Sequence, residues 1–234
     1  MDKSNMLTLS IGLIISSIML GFFIYISRSE SNTVKVVGYA SESFESDIIR
    51  WNFNVTETAF NLDLKGGYTR LNSKIENIKK IINNSELDSV EIIIKPISIN
   101  DIYDRDGITN NKKLMQEVLI TSKSINKIEE LSTNPSMFIE NNIIFEFSNI
   151  AYYYSRLDDL KKELLGKAII NAKERAYEIL TATNHKVGDL RTARSGVFQI
   201  TEPLSTEVAG YGLYSTTTKK KNIKVTVSAD FDID

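Results

Sequence analysis

The sequence predicts an α+β fold in which antiparallel hairpins pack with amphipathic helices, preceded by one N-terminal membrane-spanning helix. Three observations predict it. Residues 6–26 carry no charge and are mostly apolar. Residues 49–56 and 223–232 alternate apolar and polar side chains with a period of two, as half-buried strands require. Residues 68–82 and 155–182 place apolar side chains at spacings of three and four, the mark of amphipathic helices.

The N-terminal run contains Ile11, Leu13, Ile14, Ile15, Ile18, Met19, Leu20, Phe22, Phe23 and Ile24. About 20 such residues in a helix cross the hydrocarbon core, and Tyr25 stands where an interfacial aromatic belongs. A cleaved signal peptide needs a shorter apolar region and a small-x-small cleavage site. Ser27-Arg28-Ser29 is a poor version of that site, and the bulky residues 22–26 ahead of it argue for retention. The expected organisation is a tail at 1–5, an anchor at 6–27, a polar tether at 28–33 and a soluble domain at 34–234. Lys3 and the α-amine on one side nearly balance Arg28 and Lys35 on the other, and the favoured orientation leaves the N-terminus inside. Gly12 and Gly21 lack the four-residue spacing of a tight helix-dimer motif.

Val34, Val36 and Gly38 precede the alternating Ile49, Trp51, Phe53 and Val55, and residues 41–47 between them read as the turn of a hairpin. The period then changes. Tyr68, Leu71, Ile75, Ile78 and Ile82 share one helical face, opposite Lys74, Glu76, Lys79 and Lys80. Residues 90–99 read as a strand with Pro96 at an edge or bulge, and residues 114–121 as its partner across a long polar tip. A short helix over 126–131 leads to a strand over 143–147. The helix over 155–182 carries Leu157, Leu160, Leu164, Ala168, Ala172, Ala176 and Ile179 on one stripe, whose alanines favour close packing. Residues 190–200 read as extended, residues 201–218 as an exposed loop, and the chain ends on the alternation Ile223, Val225, Val227, Ala229, Phe231. Strand pairs flanking helices point to an antiparallel α+β protein rather than a doubly wound parallel sheet.

Composition removes several function classes. The chain has 234 residues, 42% hydrophobic, enough for one large core or two small ones. A formal net charge of −2 leaves no basic excess for a nucleic-acid partner. The absence of cysteine excludes disulfides, thiolate zinc sites and cysteine nucleophiles, and suits an oxidising compartment. His185, the single histidine, sits in a polar turn at 183–186 with no nucleophile beside it in sequence. No nucleophile elbow, phosphate-binding loop or dinucleotide fingerprint occurs.

Asp101, Asp104, Asp106 and Gly107 suggest a calcium loop, but with Gly107 at the sixth position Ile102 occupies the first and Lys113 the twelfth, where oxygen ligands are required. Asp158 and Asp159 point about 100° apart on a helix and suit its solvated face, with Lys161 and Lys162 nearby. Tyr152, Tyr153 and Tyr154 read as packing at a strand-to-helix junction. Gly210-Tyr211-Gly212-Leu213-Tyr214 is either a contact surface or a loop folded back on the domain. No catalytic residue, cofactor or metal is expected.

Val36-Val37-Gly38-Tyr39-Ala40, Glu45-Ser46-Asp47-Ile48-Ile49-Arg50-Trp51, the alanines Ala168, Ala172 and Ala176 with Asn171, and Lys186-Val187-Gly188-Asp189-Leu190-Arg191 followed by Ala193, Gly196-Val197-Phe198 and Ile200 carry a resemblance. Together they resemble the membrane-anchored subgroup of bacterial SIMPL-domain (DUF541) proteins, from about Val34 onward. His185 and the loop at 201–218 depart from the family pattern. The resemblance implies an extracytoplasmic α+β domain on the bacterial cytoplasmic membrane, with no established catalytic residues. It also implies kinship with ring-forming assemblies and with proteins associated with protection against oxidative stress. Gly38 and Gly188 then serve backbone geometry, Trp51 the core and the alanines close packing.

The expected function is that of a non-enzymatic envelope protein, partnered with the membrane through its N-terminal helix and with further copies of itself or another envelope protein. The alternative is an enzyme or small-ligand binder using an unfamiliar polar pocket around Arg191, Arg194 and the tyrosines.

Overall fold

The computed structural model describes residues 3–27, 32–105 and 107–234. In chain order the elements are α1 (Lys3–Ser27), β1 (Thr33–Glu45), β2 (Ile48–Phe60), α2 (Leu64–Asn84), β3 (Glu91–Ile94), β4 (Ser98–Asp104), β5 (Gly107–Ser122), α3 (Ile125–Thr133), α4 (Ser136–Ile139), β6 (Phe145–Tyr153), α5 (Leu157–Thr181), β7 (Val187–Ser195), β8 (Gln199–Thr201), β9 (Leu213–Tyr214) and β10 (Lys220–Ile233). They form two compact units. The first takes its described residues from 1–38, 169–195 and 227–234, the second from 39–168 and 196–226. The α+β class and its antiparallel sheets match the sequence expectation.

The described side chains of α1, residues 11–24, are all exposed. Among the described residues no helix is long and apolar enough to cross a membrane, so the expected transmembrane span at 6–27 is not found as such. Those side chains cover fewer positions than the about 20 a span needs. Most of the expected tether, at 28–31, lies outside the described residues.

In the second unit, strand order β3-β5-β2-β6, with β4 also on β5, makes an antiparallel sheet. The predicted face of β2 is the buried one: Ile49, Trp51, Phe53 and Val55 have no exposure. Leu71, Ile75, Ile78 and Ile82 of α2 close over them, with Ile128 of α3 and Phe138 of α4. Trp51 is the hub, its ring 4.4 Å from Phe53, 5.7 Å from Phe138 and 5.2 Å from Phe145. Its Nε1 donates to Ser148 Oγ at 2.9 Å, which satisfies the polar end of an otherwise apolar ring.

In the first unit β7 pairs antiparallel with the C-terminal half of β10, from Val227↔Ser195 to Ile233↔Val187. Ala172 and Ala176 of α5 pack there against Val36, Ala229 and Phe231. Small side chains let the helix backbone approach the strands closely. Gly188 is needed for space: a Cβ there would lie 2.9 Å from Asp232 Cβ.

Four expectations are corrected. First, β1 and β2 do not form a hairpin. β1 neighbours β10, whereas β2 lies between β5 and β6. The turn shrinks to Ser46-Asp47, where Ser46 N donates to Lys219 O at 2.9 Å and Asp47 N to Tyr153 O at 3.0 Å, so one residue ties to the position just before β10 and the other to the end of β6. Alternation reports which face is buried and is silent on the neighbour.

Second, the segment at 90–99 is two strands broken around Pro96, which cannot donate to a ladder. Third, the long polar tip is itself strand, since β4 and β5 stay paired to Asp104↔Gly107, with one register shift between Asp101 and Tyr103. Cross-strand charge pairing such as Asp101 with Lys112 supports a ladder that a polar sequence disguises. Fourth, the buried stripe of α5 runs Leu160, Leu164, Ala168, Ala172, Ala176, Leu180, while Ile179 is 50% exposed. That is an unbroken row at spacing four, one of the ridges by which helices pack.

Candidate binding surfaces

The residues singled out in the sequence are dispersed. His185 is exposed; its backbone N–H donates to Leu180 O at 2.9 Å and closes the end of α5, and its Nδ1 lies 3.3 Å from Thr183 Oγ1. Asp101 is engaged by Lys112, Asp106 lies outside the described residues, and no group of three or more potential metal ligands occurs among the described residues. Asp158 is exposed, 3.6 Å from Lys161. Arg191, in the first unit, pairs with Asp232 at 2.5 Å, while the tyrosines at 152–154 belong to the second unit.

Those tyrosines are held by packing. Tyr152 donates its hydroxyl to Glu129 Oε1 at 2.6 Å, and burial followed by that hydrogen bond pushes its pKa up to about 12. Tyr153 stacks edge-on to Tyr214 at 6.4 Å and lies under the Arg50 guanidinium at 5.1 Å. Tyr154 packs on Phe44 at 5.0 Å.

The loop at 201–218 resolves into a fixed part and a bare part. Gln199 reads Ala209 twice, donating from Nε2 to its carbonyl at 2.7 Å and accepting its N–H at 3.2 Å. Further along, Leu213 and Tyr214 add to β8 as the short parallel strand β9. Pinned at both points, the intervening segment presents Tyr211 at 89% exposure beside a groove of about 420 Å³. Leu157, Val197, Phe198, Ile200, Leu213 and Tyr214 form its walls, with Lys161 5.8 Å above the Phe198 ring. The flanks of the loop are thus folded back on the domain, and that folding holds Tyr211 out.

A residue the sequence reading missed stands in the same unit. Lys221 is fully buried, in phase with Ile223 and Val225 on the core side of β10. Its Nζ donates to Ser46 Oγ at 3.2 Å and to the Thr218 carbonyl, and lies 5.6 Å from the centre of the Tyr152 ring. Burial pulls its pKa down to about 8, against a weak opposing pull from the Glu202 charge. The signal in sequence was parity: carried one step back from Ile223, the strand's inward positions include this lysine.

Fold and surfaces together define a two-unit antiparallel α+β protein that presents an apolar, loop-rimmed groove, and no assembled nucleophile, base or metal centre is seen among its described residues. Residues 34–231 match the SIMPL family, described as a protein of unknown function (DUF541), and the chain belongs to that family. No curated protein matches the chain.

Proposed function

We propose that this is a membrane-anchored, extracytoplasmic protein that acts by binding, to further copies of itself or to another envelope component, and performs no chemistry of its own. The observation that carries this reading is the groove beside Tyr211. An aromatic side chain left bare next to an apolar trough is a surface that gains free energy when a partner covers it. Anchoring rests on the helix Lys3–Ser27, whose described side chains from Ile11 to Ile24 are exposed, uncharged and, apart from Ser16 and Ser17, without polar groups. The span itself is a reading of the uncharged sequence at 6–26, which has the about 20 residues a bilayer's hydrocarbon core requires. A role in envelope or oxidative stress protection belongs to this reading through the family likeness.

The test uses the full chain in its own membrane with a photo-crosslinking amino acid in place of Tyr211. Adducts containing a second copy or an envelope protein are the expected outcome. A chain that stays uncrosslinked there, while a probe at exposed Lys80 behaves identically, counts against the groove as the working surface.

A further inference from the structure

Below the sheet-switching turn at Ser46-Asp47 lies a depression of about 460 Å³, lined by Ser46, Lys123, Ser124, Asn126, Lys127 and Lys219. Three of these are lysines and no carboxylate is in the lining. Behind its Ser46 wall stands the Lys221 ammonium, fully buried and with no carboxylate within ion-pairing distance among the described residues. Buried charges are ordinarily paired, whereas this ammonium has only a hydroxyl, a carbonyl and a ring as direct partners, with the Glu202 charge acting on it from beyond ion-pairing distance.

The neighbouring backbone adds to the positive potential there. Ser124, at the N-cap of α3, makes no capping bond with its side chain, because its Oγ accepts from Asp88 N at 2.8 Å instead. Of the first-turn N–H groups of α3, that of Ile125 donates to Lys123 O at 2.9 Å, and the helix start at Ser124, Asn126 and Lys127 lines the depression with the positive end of the helix dipole. Of the three lysines, Lys123 is exposed, with no ion pair among the described residues. Lys219 reaches Glu45 at 3.1 Å and Asn126 at 3.3 Å, and Lys127 reaches Glu86 at 4.0 Å and its carbonyl at 2.7 Å. Such half-exposed rim pairs are worth little and exchange readily for a better anion.

We propose that this depression binds a phosphate group. Tetrahedral oxyanions present several acceptor oxygens at once, matching converging ammonium, hydroxyl and backbone N–H donors better than one carboxylate does. The phosphate comes either from a soluble phosphomonoester or from a lipid headgroup. This inference does not depend on the groove beside Tyr211, which is a separate surface with separate residues.

Calorimetric titration of inorganic phosphate tests it, using the full chain in nanodiscs of zwitterionic phosphatidylcholine, against chloride at matched ionic strength. The expected result is saturable, single-site heat that weakens about tenfold in Lys123→Ala/Lys219→Ala and is unchanged in Lys65→Ala/Lys80→Ala, a charge-matched control on α2. Equal heats in phosphate and chloride, or equal weakening in the two double variants, would overturn the proposal. Repeating the titration in discs containing phosphatidylglycerol separates the sources: loss of the heat assigns the site to headgroups, and its retention assigns it to a soluble phosphate.

Discussion

Ser46 and Lys221, 175 positions apart in sequence, meet at 3.2 Å from Nζ to Oγ, with the serine at the crossing from one sheet to the other and the lysine on the core face of the last strand. The contact ties the sheet crossing to β10 through a charge kept from water. A lysine there costs stability relative to an apolar residue of similar length, unless its charge is removed or compensated.

That cost is titratable. The folded pKa is lowered to about 8 from 10.5, so between those values the unfolded chain holds more protons than the folded one. Stability should therefore rise as pH increases from about 8 to about 10.5, by about 1–2 kcal/mol after allowance for screening. Urea denaturation across that range checks it. Lys221→Met should flatten the rise and match or exceed wild-type stability at pH 7; an unaltered pH profile in that variant would assign the effect elsewhere.

Trp51→Ala should cost about 3–5 kcal/mol, since it empties the centre of the Trp51, Phe53, Phe138 and Phe145 cluster. Trp51→Phe keeps much of the packing and should cost clearly less. Equilibrium denaturation followed by far-UV circular dichroism measures both, and a Trp51→Ala protein of wild-type stability would refute the buried-face assignment of β2.

On α5 the corrected stripe makes a paired prediction. Leu180→Ala should destabilise by about 2–5 kcal/mol, whereas Ile179→Ala should stay within about 0.5 kcal/mol of wild type. Ala176→Leu should also destabilise, by about 1–3 kcal/mol, because Ala176 is fully buried in the cluster with Val36, Ala229 and Phe231 and a larger side chain would overpack it. Thermal unfolding of the three variants side by side ranks them.

Acid should weaken the tie between β2 and α2. Burial raises the Glu57 pKa, but hydrogen bonds from Lys74 and Arg70 and their charges outweigh it and hold the carboxyl below its ordinary 4.5. Its contribution is fully present above about pH 4.5 and is lost as pH falls through the lowered folded value. Glu57→Gln should therefore lose stability at neutral pH and converge on wild type near the acid limit, as denaturation at paired pH values would report.

Tyr211→Ala should leave the unfolding midpoint unchanged, because a side chain 89% exposed contributes little to the fold. Partner capture in the membrane should nevertheless fall. A parallel loss of stability would show that the loop is part of the core rather than a surface offered to others.

The division between what was legible and what was not follows the range of each interaction. Alternation at Ile49, Trp51, Phe53 and Val55, and again at Ile223, Val225 and Val227, determined strand positions and buried faces, because burial imprints a local period on the chain. The same local logic drew α2 and most of α5, and the run of motif residues from Val36 to Ile200 marked the family. Only tertiary structure decided that β1 neighbours β10 while β2 joins β5 and β6, since strand pairing is non-local and leaves no period. It alone chose Leu180 over Ile179, a difference of one position on a helix that only the packed surface can adjudicate. The groove beside Tyr211 and the lysines around Ser46 likewise assemble from segments far apart in sequence, converging only when the backbone has folded.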